Sequence, residues 1–166
     1  VTGPGIDVRS RRWLVAVHEA GHACAARSFD WRVAFTRVHS DGTGLTRDAP
    51  PWLRAQHRAA REDILVSLAG PLADERLLAV KLPPDGRYDD LRTAAKDLLR
   101  AGIPGGCEFD MTTAHRDAAR LGVALPELIV EARRVVVARW AEIERVAAVL
   151  HDRGSLNGRQ IAQAAR

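Results

Sequence analysis

His18-Glu19-Ala20-Gly21-His22 sets two histidines four positions apart, with a glutamate directly after the first. On a helix, residues four apart lie one turn above each other on the same face, so both imidazoles can reach one metal ion without backbone strain. The segment around them is therefore expected to be helical. Glu19, one residue on, is rotated by roughly 100° and stands beside such an ion, where it can take a proton from a water. Ala20 and Gly21 are small and let another segment approach closely, but a glycine inside a helix costs about 1 kcal/mol relative to alanine. Some packing or functional gain should offset that cost. The chain has six histidines and eight glutamates in 166 residues. With that composition, chance alone yields about 0.01 such matches.

Composition bounds the rest. Apolar residues make up 46% and charged residues 28% of the chain, which is ample for a buried core and too apolar for a disordered segment. The 25 basic and 21 acidic residues are interspersed, and the net charge is +4. No basic block of the kind used by nucleic-acid-binding tails occurs, so no nucleic-acid partner is expected. The longest apolar run, Ile64 to Ala73, contains Ser67, Gly70 and Pro71 and falls short of the roughly 18 residues a membrane span needs. No membrane span or signal peptide is visible. Cys24 and Cys107 suggest no disulfide framework and match no cysteine-based zinc site, so a cytoplasmic location is expected.

Periodicity predicts a mainly α chain with one small β region. Ser10 is a candidate cap for a helix over 11–28, in which Leu14, Val17, Gly21, Cys24 and Ala25 recur at helical spacing. Val33 to Val38 reads as a strand, and Asp41-Gly42-Thr43-Gly44 as a turn before a second extended piece, which gives a hairpin or meander. Ile64, Leu65, Leu68, Ala69 and Leu72 mark a helix from about Ala55 that Gly70-Pro71 should kink or split. Asp89 is placed to cap a third helix to about Arg100. Asp110 begins a fourth around 112–121. Pro126 opens a long fifth to about His151, lined by Ile129, Ala132, Val136, Trp140, Ile143, Ala147 and Leu150, and a short helix follows Asn157.

Two histidines and a water leave a tetrahedral site one protein ligand short. A third histidine six residues past the second is absent, since that position is Ser28. The candidates are Asp74, Glu75, Asp89, Asp90, Cys107 and His115, and helix geometry favours the Asp74-Glu75 and Asp89-Asp90 pairs. His39, His57, His115 and His151 stand singly and are expected to be solvated or hydrogen-bonded. Cys24 turns to another face than His22 and is expected to pack. The four tryptophans are too dispersed for a base-stacking platform.

In order along the chain stand "HEAGHA" (His18 to Ala23), "VAFTRVHSDGTGLT" (Val33 to Thr46), "LAGPLADERL" (Leu68 to Leu77) and "YDDLRTAAKDL" (Tyr88 to Leu98). This ordered set resembles the peptidase domain of the FtsH family of AAA metalloproteases, and with the C-terminal segment Val135 to Ile161 the resemblance spans about residues 10–162. It implies a single zincin-like helical domain over 1–166 and a zinc metalloendopeptidase that cuts unfolded chains or flexible segments. By the same resemblance, Zn2+ is held by His18, His22 and Asp90, the aspartate before the leucine in the family's helix-opening Asn-Asp-Leu. Glu19 is expected to act as general base, and Glu75 either to orient a zinc-bound histidine through its free ring nitrogen or to form a plain salt bridge. Pro71 and Asp74 depart from the family's usual run. No G-x-x-x-x-G-K-[ST] phosphate loop occurs, so any unfolding activity is expected from a separate ATPase or adaptor. Two other classes remain: a catalytically inactive zinc-stabilised interaction module, its site closed by a fourth ligand such as Glu75 or Cys107, and a basic helical nucleic-acid-binding domain.

Overall fold

In the computed structural model, which describes residues 8–48, 60–80, 89–106 and 109–166, the histidine-bearing helix α1 (Val8–Ser28) is buried on every face from Trp13 to Ala26. A helix that is apolar all round belongs at the centre of a fold, and α1 is packed by α2 (Ala60–Ala79), α3 (Asp89–Arg100), α6 (Trp140–Arg153) and a small sheet. It begins earlier than expected, at Val8, so Ser10 lies inside the helix, where it is buried rather than capping.

The sheet has three antiparallel strands in the order β2-β1-β3. β1 (Val33–Val38) and β2 (Gly44–Asp48) form the expected hairpin, with Val38 opposite Gly44. β3 (Ser155–Asn157), which the sequence did not announce, pairs with the other side of β1, with Phe35 opposite Asn157. Its three residues are too short to show a period-two pattern. β1 is thus the central strand, and β2 presents an outer edge.

Helix α2 runs unbroken through Gly70 and Pro71, so of the expected kink or split the split does not occur. Its buried stripe of Ile64, Leu65, Leu68, Ala69, Leu72, Ala73 and Leu77 holds it against α1. Pro71 still removes one amide, leaving the Ser67 carbonyl without its usual helical donor. The expected start of this helix at 55–59 lies outside the described residues. Helix α4 (Phe109–Leu121) has Asp110 in its first turn. The single long helix expected from Pro126 is two: α5 (Leu125–Ala138) and α6 meet at Arg139, whose φ is −102° and ψ 7°. No Gly or Pro marks that break. Arg139 instead holds Glu142 in the first turn of α6 at 2.7 Å, and the buried face of α5 is Leu128, Ala132 and Val136, with Ile129 at its margin. A capping box between Asn157 and Gln160 opens α7 (Gly158–Ala164).

Gly21 explains its own cost. A Cβ there would lie 2.7 Å from the Ala69 carbonyl oxygen and 2.9 Å from the Ala73 Cβ, so its absence is what lets α1 and α2 approach. Gly21→Ala gains about 1 kcal/mol in helix propensity and loses about 1–3 kcal/mol to overpacking. Net destabilisation in urea or thermal unfolding is the expected result, and a more stable variant would contradict this packing.

Candidate metal centre

α1 delivers His18, Glu19 and His22, with 2%, 4% and 9% of their surface exposed. Burial of three ionisable groups is costly unless each is satisfied, and each ring is held on its Nδ1 side. His18 Nδ1–H donates to Asp74 Oδ2 at 2.9 Å, and His22 Nδ1–H donates to the Val66 carbonyl at 2.7 Å. Both acceptors come from α2. The Asp74 oxygen also accepts the Gly105 amide at 2.8 Å, which fixes it from a second side.

With Nδ1 occupied, both rings present Nε2 to the same point, and Asp110 from the first turn of α4 completes a triangle. His18 Nε2 and His22 Nε2 are 3.2 Å apart. Asp110 Oδ2 lies 3.1 Å from His18 Nε2 and 3.3 Å from His22 Nε2. Ligands at the usual zinc bond lengths of about 2.0–2.1 Å span tetrahedron edges of about 3.3 Å, so the three atoms have the separation one such ion requires. Space has been kept beside them: a Cβ at Gly70 would collide with Nε2 of His18 and His22, and one at Gly106 with Nε2 of His18. Among the described residues no fourth His, Cys, Asp or Glu joins this group.

The electrostatics agree. Burial pushes His18 down, but hydrogen bonds to Asp110 and Asp74 outweigh it and raise His18 to about 10. Burial likewise opposes charge on His22, and its bond to Asp110 prevails, so its pKa rises. Burial raises Asp110, yet the bonds from His18 and His22 hold it well below the usual carboxylate range. This site is built to hold positive charge.

The structure does not bring Asp90 or Glu75 to this centre. Asp90 is exposed in the first turn of α3, and Glu75 points outward to Arg133 at 3.0 Å with 57% of its side chain exposed. Two other aspartates take their places: Asp110 of α4 at the triangle and Asp74, adjacent to Glu75, on His18. The sequence held the signal for Asp110, because Asp-apolar-x-x-Ala occurs twice at a helix start, as Asp90-Leu91-Arg92-Thr93-Ala94 and Asp110-Met111-Thr112-Thr113-Ala114. Only the first has leucine, and nothing local separates them. Of Asp74 and Glu75, adjacent on α2 and therefore about 100° apart, only Asp74 is buried. Cys107 lies outside the described residues. Burial pushes the Cys24 thiol up to about 12, as suits a packing residue.

Glu19 stands beside the triangle. Thr46 Oγ1 on β2 donates to Glu19 Oε2 at 2.7 Å, and Thr36 Oγ1 on β1 is 2.8 Å from Thr46 Oγ1. Gly44 lets β2 pass over the carboxylate, since a Cβ there would lie 2.5 Å from Glu19 Oε1 and 2.7 Å from Val15 Cγ1. A cleft of about 310 Å³ opens here, lined by Glu19, His22 and Asp110, by Gly44, Leu45 and Thr46 of β2 and by Val66 and Ser67 of α2. His18-Glu19-x-x-His22 with Asp110 forms a zincin-like catalytic cluster, consistent with zinc-dependent peptide-bond hydrolysis. No protein-family model matches the chain, and no curated protein matches it significantly. The arrangement and the mainly helical fold are consistent with a zinc metalloprotease superfamily and do not select FtsH within it.

Metal retention should separate the two aspartates. Asp110→Ala is expected to weaken ion binding by more than the 10–100-fold typical of outer-shell changes, Asp74→Asn by about that amount, and Asp90→Ala not at all. Loss of metal from the Asp90 variant in elemental analysis would move the ligand back to α3. Proton release offers a second check. An ion needs a neutral imidazole, so at pH 7 binding must displace the proton of His18, whose pKa is raised to about 10, and calorimetry in buffers of different ionisation enthalpy should detect it. In chelator-treated protein the raised His18 pKa stabilises the fold fully below its unfolded value near 6.5. That contribution is lost as the pH climbs through about 10.

Proposed function

We propose that the chain is a zinc metalloendopeptidase domain of FtsH-like type, with zinc on His18, His22 and Asp110 and with Glu19 as general base. The observation that carries this reading is the triangle of two Nε2 atoms and Asp110 Oδ2 with edges of 3.1–3.3 Å next to a buried carboxylate. The order of HEAGHA helix, hairpin, Ala-Gly-containing helix and Asp-apolar-x-x-Ala helix supports the FtsH-like assignment, with Asp110 rather than Asp90 as its aspartate. We read residues 1–166 as one such domain, acting in the cytoplasm. Among the described residues no helix is long and apolar enough to cross a membrane.

When bound, zinc supplies a Lewis acid that activates a water and polarises the scissile carbonyl. The chain's own residues do the rest. Thr46 holds Glu19 Oε2, so the carboxylate is fixed before substrate arrives and accepts the water's proton without reorganising. The same group then passes the proton to the leaving amine. Asp74 and the Val66 carbonyl fix each imidazole in the tautomer that offers Nε2. The outer edge of β2, whose residues Gly44, Leu45 and Thr46 line the cleft, can pair with an extended peptide backbone. The expected docking edge is therefore β2, since β1 is paired on both sides.

A cleft of about 310 Å³ admits an extended segment and not a folded domain. Unfolded chains and flexible segments are therefore the proposed substrates, with folded ones depending on a separate ATPase or adaptor. Glu19→Gln tests the chemistry, because glutamine keeps the shape and cannot take the proton. We expect it to retain metal and fold and to lose cleavage of an unfolded casein-like substrate by at least the 100-fold typical of general bases. Equal cleavage by both proteins would sink the mechanism.

A further inference from the structure

A second cavity, of about 300 Å³, is lined by Arg27, Trp31, Arg32, Val33, Gly158 and Arg159. It lies where the C-terminal end of α1, the start of β1 and the start of α7 meet, and none of its residues belongs to the metal centre. Three arginines line it, and among the described residues none of them forms an ion pair with a carboxylate. Arg27 carries a further sign: its Nε is buried and finds no acceptor among the described residues. A buried charged donor without an acceptor costs free energy that a bound acceptor would recover.

The walls are fixed. The Trp31 indole N–H donates to Glu62 of α2 at 2.9 Å, and its ring is tilted against Phe29 with centroids 6.2 Å apart. At Gly158 a Cβ would collide with the Val33 carbonyl, so glycine brings α7 against β1 and closes the far wall. The carbonyls at the end of α1 compete little for the arginines. Ala26 accepts the Phe29 and Trp31 amides at 3.1 and 3.0 Å, and Arg27 accepts that of Asp30 at 3.1 Å. A helix C-terminus carries about half a negative charge, which three full positive charges outweigh.

We propose that this cavity binds a small phosphate-bearing ligand, held by the forked guanidinium donors of Arg27, Arg32 and Arg159 and flanked by the Trp31 ring. Planar forks of N–H donors match phosphate oxygens in pairs. A volume near the lower end of the roughly 300–1,000 Å³ range of ligand pockets suits a phosphate group with one ring and excludes a folded partner. The site is independent of the proposed peptidase chemistry.

The test uses the whole chain, zinc-loaded and labelled with nitrogen-15, titrated separately with inorganic phosphate and with adenosine monophosphate. Saturable shifts are expected at the Trp31 indole N–H and at the Val33 and Gly158 amides for at least one of the two probes. Binding should weaken about tenfold or more in Arg27→Gln and in Arg159→Gln. Arg159 is exposed, so its variant keeps the fold and guards against a trivial loss. Tighter binding of the nucleotide would assign its ring to Trp31. The proposal is overturned if neither probe saturates at millimolar concentration, if both variants bind like the parent, or if the shifts fall only on Gly70 and Gly106 beside the metal centre.

Discussion

The close contact of α1 with α2 is the constraint on which the rest depends. At Gly21 the α1 backbone lies against the Ala69 carbonyl, and at Gly70 the α2 backbone lies against the two histidine rings. A side chain at either position would push the helices apart. Their separation sets the distance from His18 to Asp74 and from His22 to the Val66 carbonyl, and through these bonds the direction of both Nε2 atoms. The glycine in the HEAGH motif and the glycine before Pro71 are thus two halves of one contact. A kinked or separated α2 would leave both rings free to turn.

From that contact the chemistry follows by charge. α2 supplies acceptors to the outer nitrogen of each ring, α4 supplies Asp110 to the inner ones, and β2 supplies a hydroxyl to Glu19. The partners of these groups come from three elements other than α1, so the cluster exists only in the folded chain. His18 is pushed up to about 10 by its two aspartates, against the effect of burial, so cationic charge is favoured where the three ligand atoms meet. A divalent ion satisfies the same preference more completely than a proton, because it reaches all three at once.

Much of this was legible in the residues. The pair at His18 and His22 with Glu19 specified a helix and a metal face, because a four-residue spacing has one simple geometric meaning. The hairpin and the helices at Asp89 and Asp110 followed from turn and capping residues. Which aspartate reaches the metal was not legible, since Asp90 and Asp110 open helices with the same Asp-apolar-x-x-Ala pattern and only the packing of α4 against α2 distinguishes them. Asp74 and Glu75 pose the same problem one residue apart. The third strand and the break at Arg139 arise from long-range packing. Periodicity runs straight through the break, and Ser155 to Asn157 is a strand only because β1 lies beside it.

The most direct measurement is an anomalous difference map from crystals of the zinc-loaded chain, with data collected just above the zinc absorption edge. One strong peak per chain is expected among Nε2 of His18, Nε2 of His22 and the Asp110 carboxylate, with Asp74 still on His18 Nδ1. A peak bound through Asp90 or a cysteine sulfur, or no peak at the two histidines, would contradict it.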